Sequence, residues 1–92
     1  MSKTIEPSDS LIEYPSDFPI KIMGLMQDGF AQTMIDVVKS FDPGFDPITL
    51  EMRPSSNGTY LSLTATVRAT SREQLDNLYR ALTGHPMVKL VL

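Results

Sequence analysis

A chain of 92 residues has room for one hydrophobic core and no second domain. Its net charge of −3, from 11 acidic and 8 basic residues, argues against duplex nucleic acid as a partner, because affinity for phosphate needs clustered Lys and Arg. The absence of cysteine removes disulfides, thiolate metal sites and cysteine nucleophiles. No apolar run approaches the ~20 residues that span a bilayer and no secretory signal is visible, so a cytoplasmic protein without membrane attachment is expected.

Residues 1–10 are polar and carry Pro7, with Ile5 as the apolar exception, and read as a disordered tail. The domain is expected over 11–92. Leu11, Ile12, Tyr14 and Phe18 are interrupted by Pro15 and Pro19, which suits an extended arm laying apolar side chains on the domain. Tyr14 either packs or covers a pocket. From Phe18 to Gly24 the pattern alternates, predicting a strand with Phe18, Ile20 and Ile22 inward. Gly24-Leu25-Met26-Gln27-Asp28-Gly29 is a short connection, with Asp28 the expected N-cap of a helix. Phe30, Met34, Val37, Val38 and Phe41 fall on one helical stripe. Asp42-Pro43-Gly44 and Asp46-Pro47 end it.

Ile48 to Ala69 reads as a hairpin centred on Asn57-Gly58, the pair best suited to the positive φ angles of a type I′ turn. That register sets Met52 against Leu63, Leu50 against Ala65 and Ile48 against Val67. Polar faces polar as well: Arg53 with Ser62, Glu51 with Thr64, Thr49 with Thr66. A one-residue slip would expose the core face. Pro54 cannot donate a ladder hydrogen bond and belongs at a sheet edge or past the strand's end. Thr70 with Glu73, or Ser71 with Gln74, offers a capping box for a second helix. Leu75, Leu78, Tyr79 and Leu82 are its stripe, and Gly84 and Pro86 its stop. Met87 to Leu92 closes the chain as a strand with Val88, Leu90 and Leu92 inward.

The order strand, helix, strand, strand, helix, strand, with right-handed crossovers, predicts an α+β ferredoxin-like sandwich. Its antiparallel sheet runs in the order 4-1-3-2 with both helices on one face, and the second strand lies at an edge, where Pro54 is tolerated. The uncovered face then carries Lys21, Met23, Thr49, Glu51, Arg53, Ser62, Thr64, Thr66, Arg68, Lys89 and Val91. Such a face is commonly just solvated. Four basic residues against one acid also suit a platform for an anionic ligand or a protein partner, with Lys21, Arg53, Arg68, Lys89 and the hairpin-tip Tyr60 as the interaction surface. RNA-recognition domains of this topology stack bases on aromatics of the central strands. Those positions here are Lys21, Met23, Ser62, Thr64 and Thr66, so nucleic acid is disfavoured.

Catalytic chemistry finds little to use. The single histidine, His85, follows a helix C-terminus, where it complements the dipole, and lacks the partners of a triad. One His without Cys is a poor basis for a metal site, and Met23 with Met26 reads as packing. The loop Gly24 to Gly29 carries neither the lysine of a phosphate loop nor the phosphate-holding arginine that small phosphatases of this topology place there. No enzyme activity, cofactor or metal is expected.

Tyr14-Pro15, Phe18 to Lys21, Met23-Gly24, Arg53-Pro-Ser-Ser-Asn-Gly-Thr-Tyr60 and Val88 to Leu92 together resemble the YbeD-like family of small bacterial proteins. The resemblance covers Leu11 to Leu92, and Pro-Ser-Ser-x-Gly-x-Tyr is its most specific piece. It implies a fold similar to ACT regulatory domains, no catalytic residues, and a link to lipoate metabolism through genes found near lipoate-attachment enzymes. In ACT domains a ligand sits by the loop after the first strand, at a dimer interface. By that analogy Gly24, Leu25, Met26, Gln27, Asp28 and Gly29 are the candidate ligand-binding residues, and a homodimer is expected. Two readings follow: a non-catalytic regulatory or ligand-sensing module, or an adaptor that binds a protein partner with its open sheet face or edge strand.

Overall fold

The computed structural model describes residues 13–92; the tail expected over 1–10, with Leu11 and Ile12, lies outside the described residues. Two ten-residue strands, β1 (Ser16–Leu25) and β3 (Tyr60–Ala69), form an antiparallel pair in unbroken register from Ser16 opposite Ala69 to Leu25 opposite Tyr60. The edges are added by β2 (Glu51–Pro54) on β3 and β4 (Val88–Val91) on β1, giving the order β2-β3-β1-β4. Read from the other end this is 4-1-3-2, the ferredoxin-like arrangement expected from the sequence. Helices α1 (Phe30–Phe41) and α2 (Arg72–Thr83) connect the strand pairs.

The alternation of β1 and β3 places Ile20, Ile22, Leu63, Ala65, Val67 and Ala69 on the covered face, all at or near zero exposure. Against them pack Phe30, Met34 and Val38 of α1 and Leu75, Leu78 and Leu82 of α2. Each large side chain contributes roughly 1.5–3 kcal/mol before entropy is counted. Tyr14 and Phe18 lie partly buried against this core, so the first of the two readings for Tyr14 holds.

Several local expectations are corrected. β1 starts at Ser16 and runs through Pro19, which pairs with Thr66. Lys21 exchanges backbone hydrogen bonds with Leu92 on the β4 side, and two-residue parity turns the nitrogen of Pro19 to that same side. β4 does not extend that far, so the missing donor leaves no ladder bond unmade. At the head of α1 the N-cap is Gly29, in a left-handed conformation and without a side-chain cap, where Asp28 was expected. The strand expected from Ile48 begins only at Glu51. Pro47–Thr49 is instead a 3₁₀ turn, because the Asp46 carboxylate accepts from Ile48 N at 3.0 Å and Pro47 fits its first position. Ile48, expected against Val67, is 90% exposed.

The hairpin register is as expected, with Glu51 opposite Thr64, Met52 opposite Leu63 and Arg53 opposite Ser62. Its turn is different. Gly58 alone in the loop has positive φ, so a type I′ turn is ruled out. Gly58 N donates to Ser55 O at 3.0 Å, making a turn over Ser55–Gly58 that Gly58 exits in the left-handed region. At α2, Ser71 Oγ accepts from Gln74 N at 3.0 Å, but the Gln74 side chain reaches Thr70 N at 2.6 Å, so it completes the box one residue early.

The largest departure is in β4. Gly24 stands opposite Val88, Met23 opposite Leu90 and Ile22 opposite Val91, so Lys89 is the extra residue of a bulge. Val88 and Val91 therefore pack on the core, while Leu90 and Leu92, expected inward, are 46% and 64% exposed. Val91, expected on the open face, moves to the covered one.

Gly24 makes this junction possible: a Cβ there would lie 2.7 Å from the Phe30 ring and closer still to the Met87 carbonyl. Gly24→Ala is expected to cost about 1–3 kcal/mol of stability by overpacking, read from urea denaturation. Gly58→Val has open space around it but inherits a φ of +77°, and an expected loss of about 1–3 kcal/mol comes from backbone strain alone. An unchanged melting temperature would contradict the turn geometry.

Candidate functional site

The sheet face opposite the helices is built by the outward residues of β1, β2 and β3 and by the bulge-rotated end of β4. Two cross-strand rows define it. One runs Leu90, Met23, Ser62, Arg53; the next runs Leu92, Lys21, Thr64, Glu51. Directly paired residues of adjacent strands stand about 4.5–5.5 Å apart at Cβ, so each row is a line of neighbouring side chains. Leu90, Met23 and Leu92 thus make an apolar patch along β4 and the adjoining part of β1, beside a polar patch in which Lys21 and Arg53 stand with one acid, Glu51.

Two shallow clefts lie in it. One of about 240 Å³ is lined by Lys21, Glu51, Arg53, Ser62 and Thr64 among others. The second, about 280 Å³, is lined by Lys21, Met23, Arg53, Tyr60, Ser62 and Leu92 among others. They share Lys21, Arg53 and Ser62 and form one trough. Among the described residues the ion pairs are Arg68 with Asp17 at 3.1 Å and Arg72 with Asp76 at 3.5 Å. Lys21 and Arg53 belong to neither.

The tip that holds Tyr60 is fixed by its own hydrogen bonds. Ser55 Oγ donates to Asn57 Oδ1 and accepts from Tyr60 N, both at 3.0 Å, while Asn57 Oδ1 also accepts from Thr59 N at 3.1 Å. Ser55 N donates to Tyr60 O at 2.9 Å. The Ser-x-Asn-Gly-x-Tyr run is therefore a self-satisfied turn that anchors the start of β3, with Tyr60 41% exposed beside the trough.

Of the expected interaction residues, Lys21, Arg53 and Tyr60 are brought together. Arg68 lies at the far end of β3, paired with Asp17, in a separate cleft of about 450 Å³ that also includes Asp42 and Asp46. Lys89 is the exposed bulge residue and lines none of these clefts. The sequence reading missed Leu90 and Leu92, because strict alternation from Val88 turns both inward; only the strand register reveals them.

The expected ligand loop is mostly committed to structure. Gly24 is buried in β1, Leu25 pairs with Tyr60, and Met26 N donates to Thr59 O at 2.8 Å. Gln27 O accepts from Phe30 N at 3.3 Å and Asp28 and Gly29 are exposed. His85 is also engaged locally: Nδ1 accepts from Met87 N at 3.1 Å, stabilising the turn before β4. Tyr79, on the helical layer, has its hydroxyl pKa raised by burial.

At the far end, one buried carboxylate ties the layers. Asp42, just past α1, accepts from Arg68 N at 2.9 Å, and Gln74 Nε2 donates to Phe41 O at 2.8 Å and Arg68 O at 3.2 Å. Asp42→Ala would leave the Arg68 amide unpaired and is expected to cost about 1–3 kcal/mol. Asp17→Ala, removing an exposed pair with Arg68, is expected to cost under about 1 kcal/mol. Chemical denaturation of the two variants separates these roles.

A four-stranded sheet in this order, two helices on one face and an open platform on the other define a ferredoxin-like α+β fold. The solved structures agree at the level of fold. A Helicobacter pylori protein superposes with a TM-score of 0.72 at 17% identity, covering 98% of both chains. The ACT domain of GTP pyrophosphokinase from Chlorobium tepidum superposes at 0.64 and 19% identity, covering 84% of this chain and 97% of that one. The chain belongs to the DUF493 family, described as a protein of unknown function, whose profile matches residues 9–92. UPF0250 proteins are its relatives: that of Bordetella pertussis is 70% identical over 88 residues (96% of this chain, 97% of the relative). The one from Ralstonia nicotianae is 70% identical over 86 residues, 94% and 89% of the two chains. No helix among the described residues is long and apolar enough to cross a membrane.

Proposed function

We propose that this chain is a non-catalytic regulatory module that works by engaging a protein partner through the open face of its sheet. The observation that carries this reading is the trough, where Lys21 and Arg53 stand on rigid strands without acidic ion-pair partners among the described residues. Their charge is local and opposite to the net −3 of the chain, which favours a specific complementary surface over general attraction. The strands fix the backbone that carries both groups, so ordering on binding is confined to their side chains. The likeness to an ACT domain supports a regulatory role by analogy of fold.

Other readings have less support. A small ligand at Gly24–Gly29 would meet a segment whose first two residues are strand, and none of its residues lines the three clefts described. The link to lipoate metabolism rests on the family resemblance alone. For catalysis, the described residues offer no group of three or more His, Cys, Asp and Glu that could hold a metal, and the His85 Nδ1 is occupied by a backbone amide.

The test is affinity capture from a bacterial extract with the native chain, the Lys21→Glu/Arg53→Glu double variant and Arg80→Glu on α2. A partner held by the native chain and by Arg80→Glu should be lost to the double variant with its melting temperature unchanged. Retention of that partner by the double variant would place the interaction elsewhere.

A further inference from the structure

We infer that the open face recognises a partner segment that combines an acidic side chain with a large aliphatic or aromatic one, the acid on Arg53 and Lys21 and the apolar group on Met23, Leu90 and Leu92. The inference rests on the proposed open-face reading and deepens it by naming the partner's chemistry. What points to it is the bulge at Lys89. Without it, Leu90 and Leu92 would face the helices and the strip beside the cations would be Lys89 and Val91. With it, two leucines emerge at 46% and 64% exposure next to Met23, although burying each would have been favourable. Bulges commonly re-aim side chains at functional places. The result is an apolar strip sharing one cleft with two cations: Leu92, Met23, Lys21 and Arg53 all line it.

Charge complementarity selects the occupant. A second copy docked face to face would bring one acid, Glu51, to two cations, Lys21 and Arg53, and leave the charges of the cleft unbalanced. A membrane of anionic lipid calls for a larger cluster of Lys and Arg than the two cations of this cleft. Single-stranded RNA would find Met23, Ser62 and Thr64 where stacking needs aromatics. An acidic, apolar peptide satisfies both strips at once.

The probe is a phage-displayed library of random dodecapeptides selected on the immobilised full chain, with the enriched sequences then synthesised. Selected peptides should carry Asp or Glu close to Leu, Ile, Phe or Trp. Their affinity should fall at least ~10-fold in Arg53→Glu and at least ~5-fold in Leu92→Ser, with Arg80→Glu unchanged. Raising salt from about 50 to about 500 mM should weaken binding severalfold, because exposed charges are screened. Any variant with a lowered melting temperature is replaced by Arg53→Gln or Leu92→Ala. Peptides without acidic preference, or with affinity indifferent to Arg53→Glu, would overturn the inference. Two other results would overturn it too: co-sedimentation with phosphatidylglycerol vesicles that Arg53→Glu abolishes, or a dimer that Leu92→Ser dissociates in sedimentation velocity. If the double variant loses its captured partner but the library yields no acidic-apolar peptides, the partner chemistry fails and the open-face module stands. If the double variant retains the partner, the open-face reading itself fails.

Discussion

The close approach at Gly24 is the constraint on which the working face depends. A side chain at this position would collide with the Phe30 ring, the first residue of α1, and with the Met87 carbonyl, at the entrance to β4. Both elements therefore come nearer to the central strand than an ordinary residue would allow. Phe30 is fully buried there, and the β1–β4 ladder absorbs the irregularity as a bulge. One missing methyl group thus couples helix packing to the direction in which the last residues of the chain point.

Around that junction the molecule divides by task. The helical layer and the inward residues of β1 and β3 supply the apolar burial that a domain of this size needs nearly in full. The far end is tied by polar bonds in place of apolar packing: Asp42, buried, holds the Arg68 amide, and Gln74 spans the ends of α1, β3 and α2. The near end is tied by the hairpin tip, whose hydrogen bonds close on Ser55 and Asn57. Between two secured ends lies the open face, which neither helix of the described residues covers. That leaves its mixed cationic and apolar character available for recognition.

Arg53, Lys21 and Tyr60 come from three strands, and their convergence follows from topology. β2 is placed beside β3 by the tight hairpin, and β1 beside β3 by the crossover through α1. Arg68 belongs to the same face by alternation, yet Asp17 takes it up at the other end. A count of basic residues on the face therefore overstates the trough's charge; position along the strands decides which cations act together.

Much of this was legible in the sequence because it depends on periodicities of two and 3.6 and on local capping. The alternation of Phe18 to Gly24 and Leu61 to Ala69, the stripes Phe30–Met34–Val38 and Leu75–Leu78–Leu82, the register of Met52 on Leu63 and the edge position of Pro54 all follow from neighbours close along the chain. The failures share one cause. Ile48 left its strand because the Asp46 carboxylate captured its amide, Gly29 displaced Asp28 as the helix cap, and the turn at Asn57-Gly58 took a form that Ser55 completes. In each, competing local hydrogen bonds have similar energies, and the surrounding packing selects among them. The outward turn of Leu90 and Leu92 lies further still from the sequence's reach. It depends on Gly24, Phe30 and Met87 meeting across three elements. The core of β1, β3 and the helices was thus determined by the chain's own pattern, while the share of β4 in that core and the chemistry of the open face were decided only by tertiary structure.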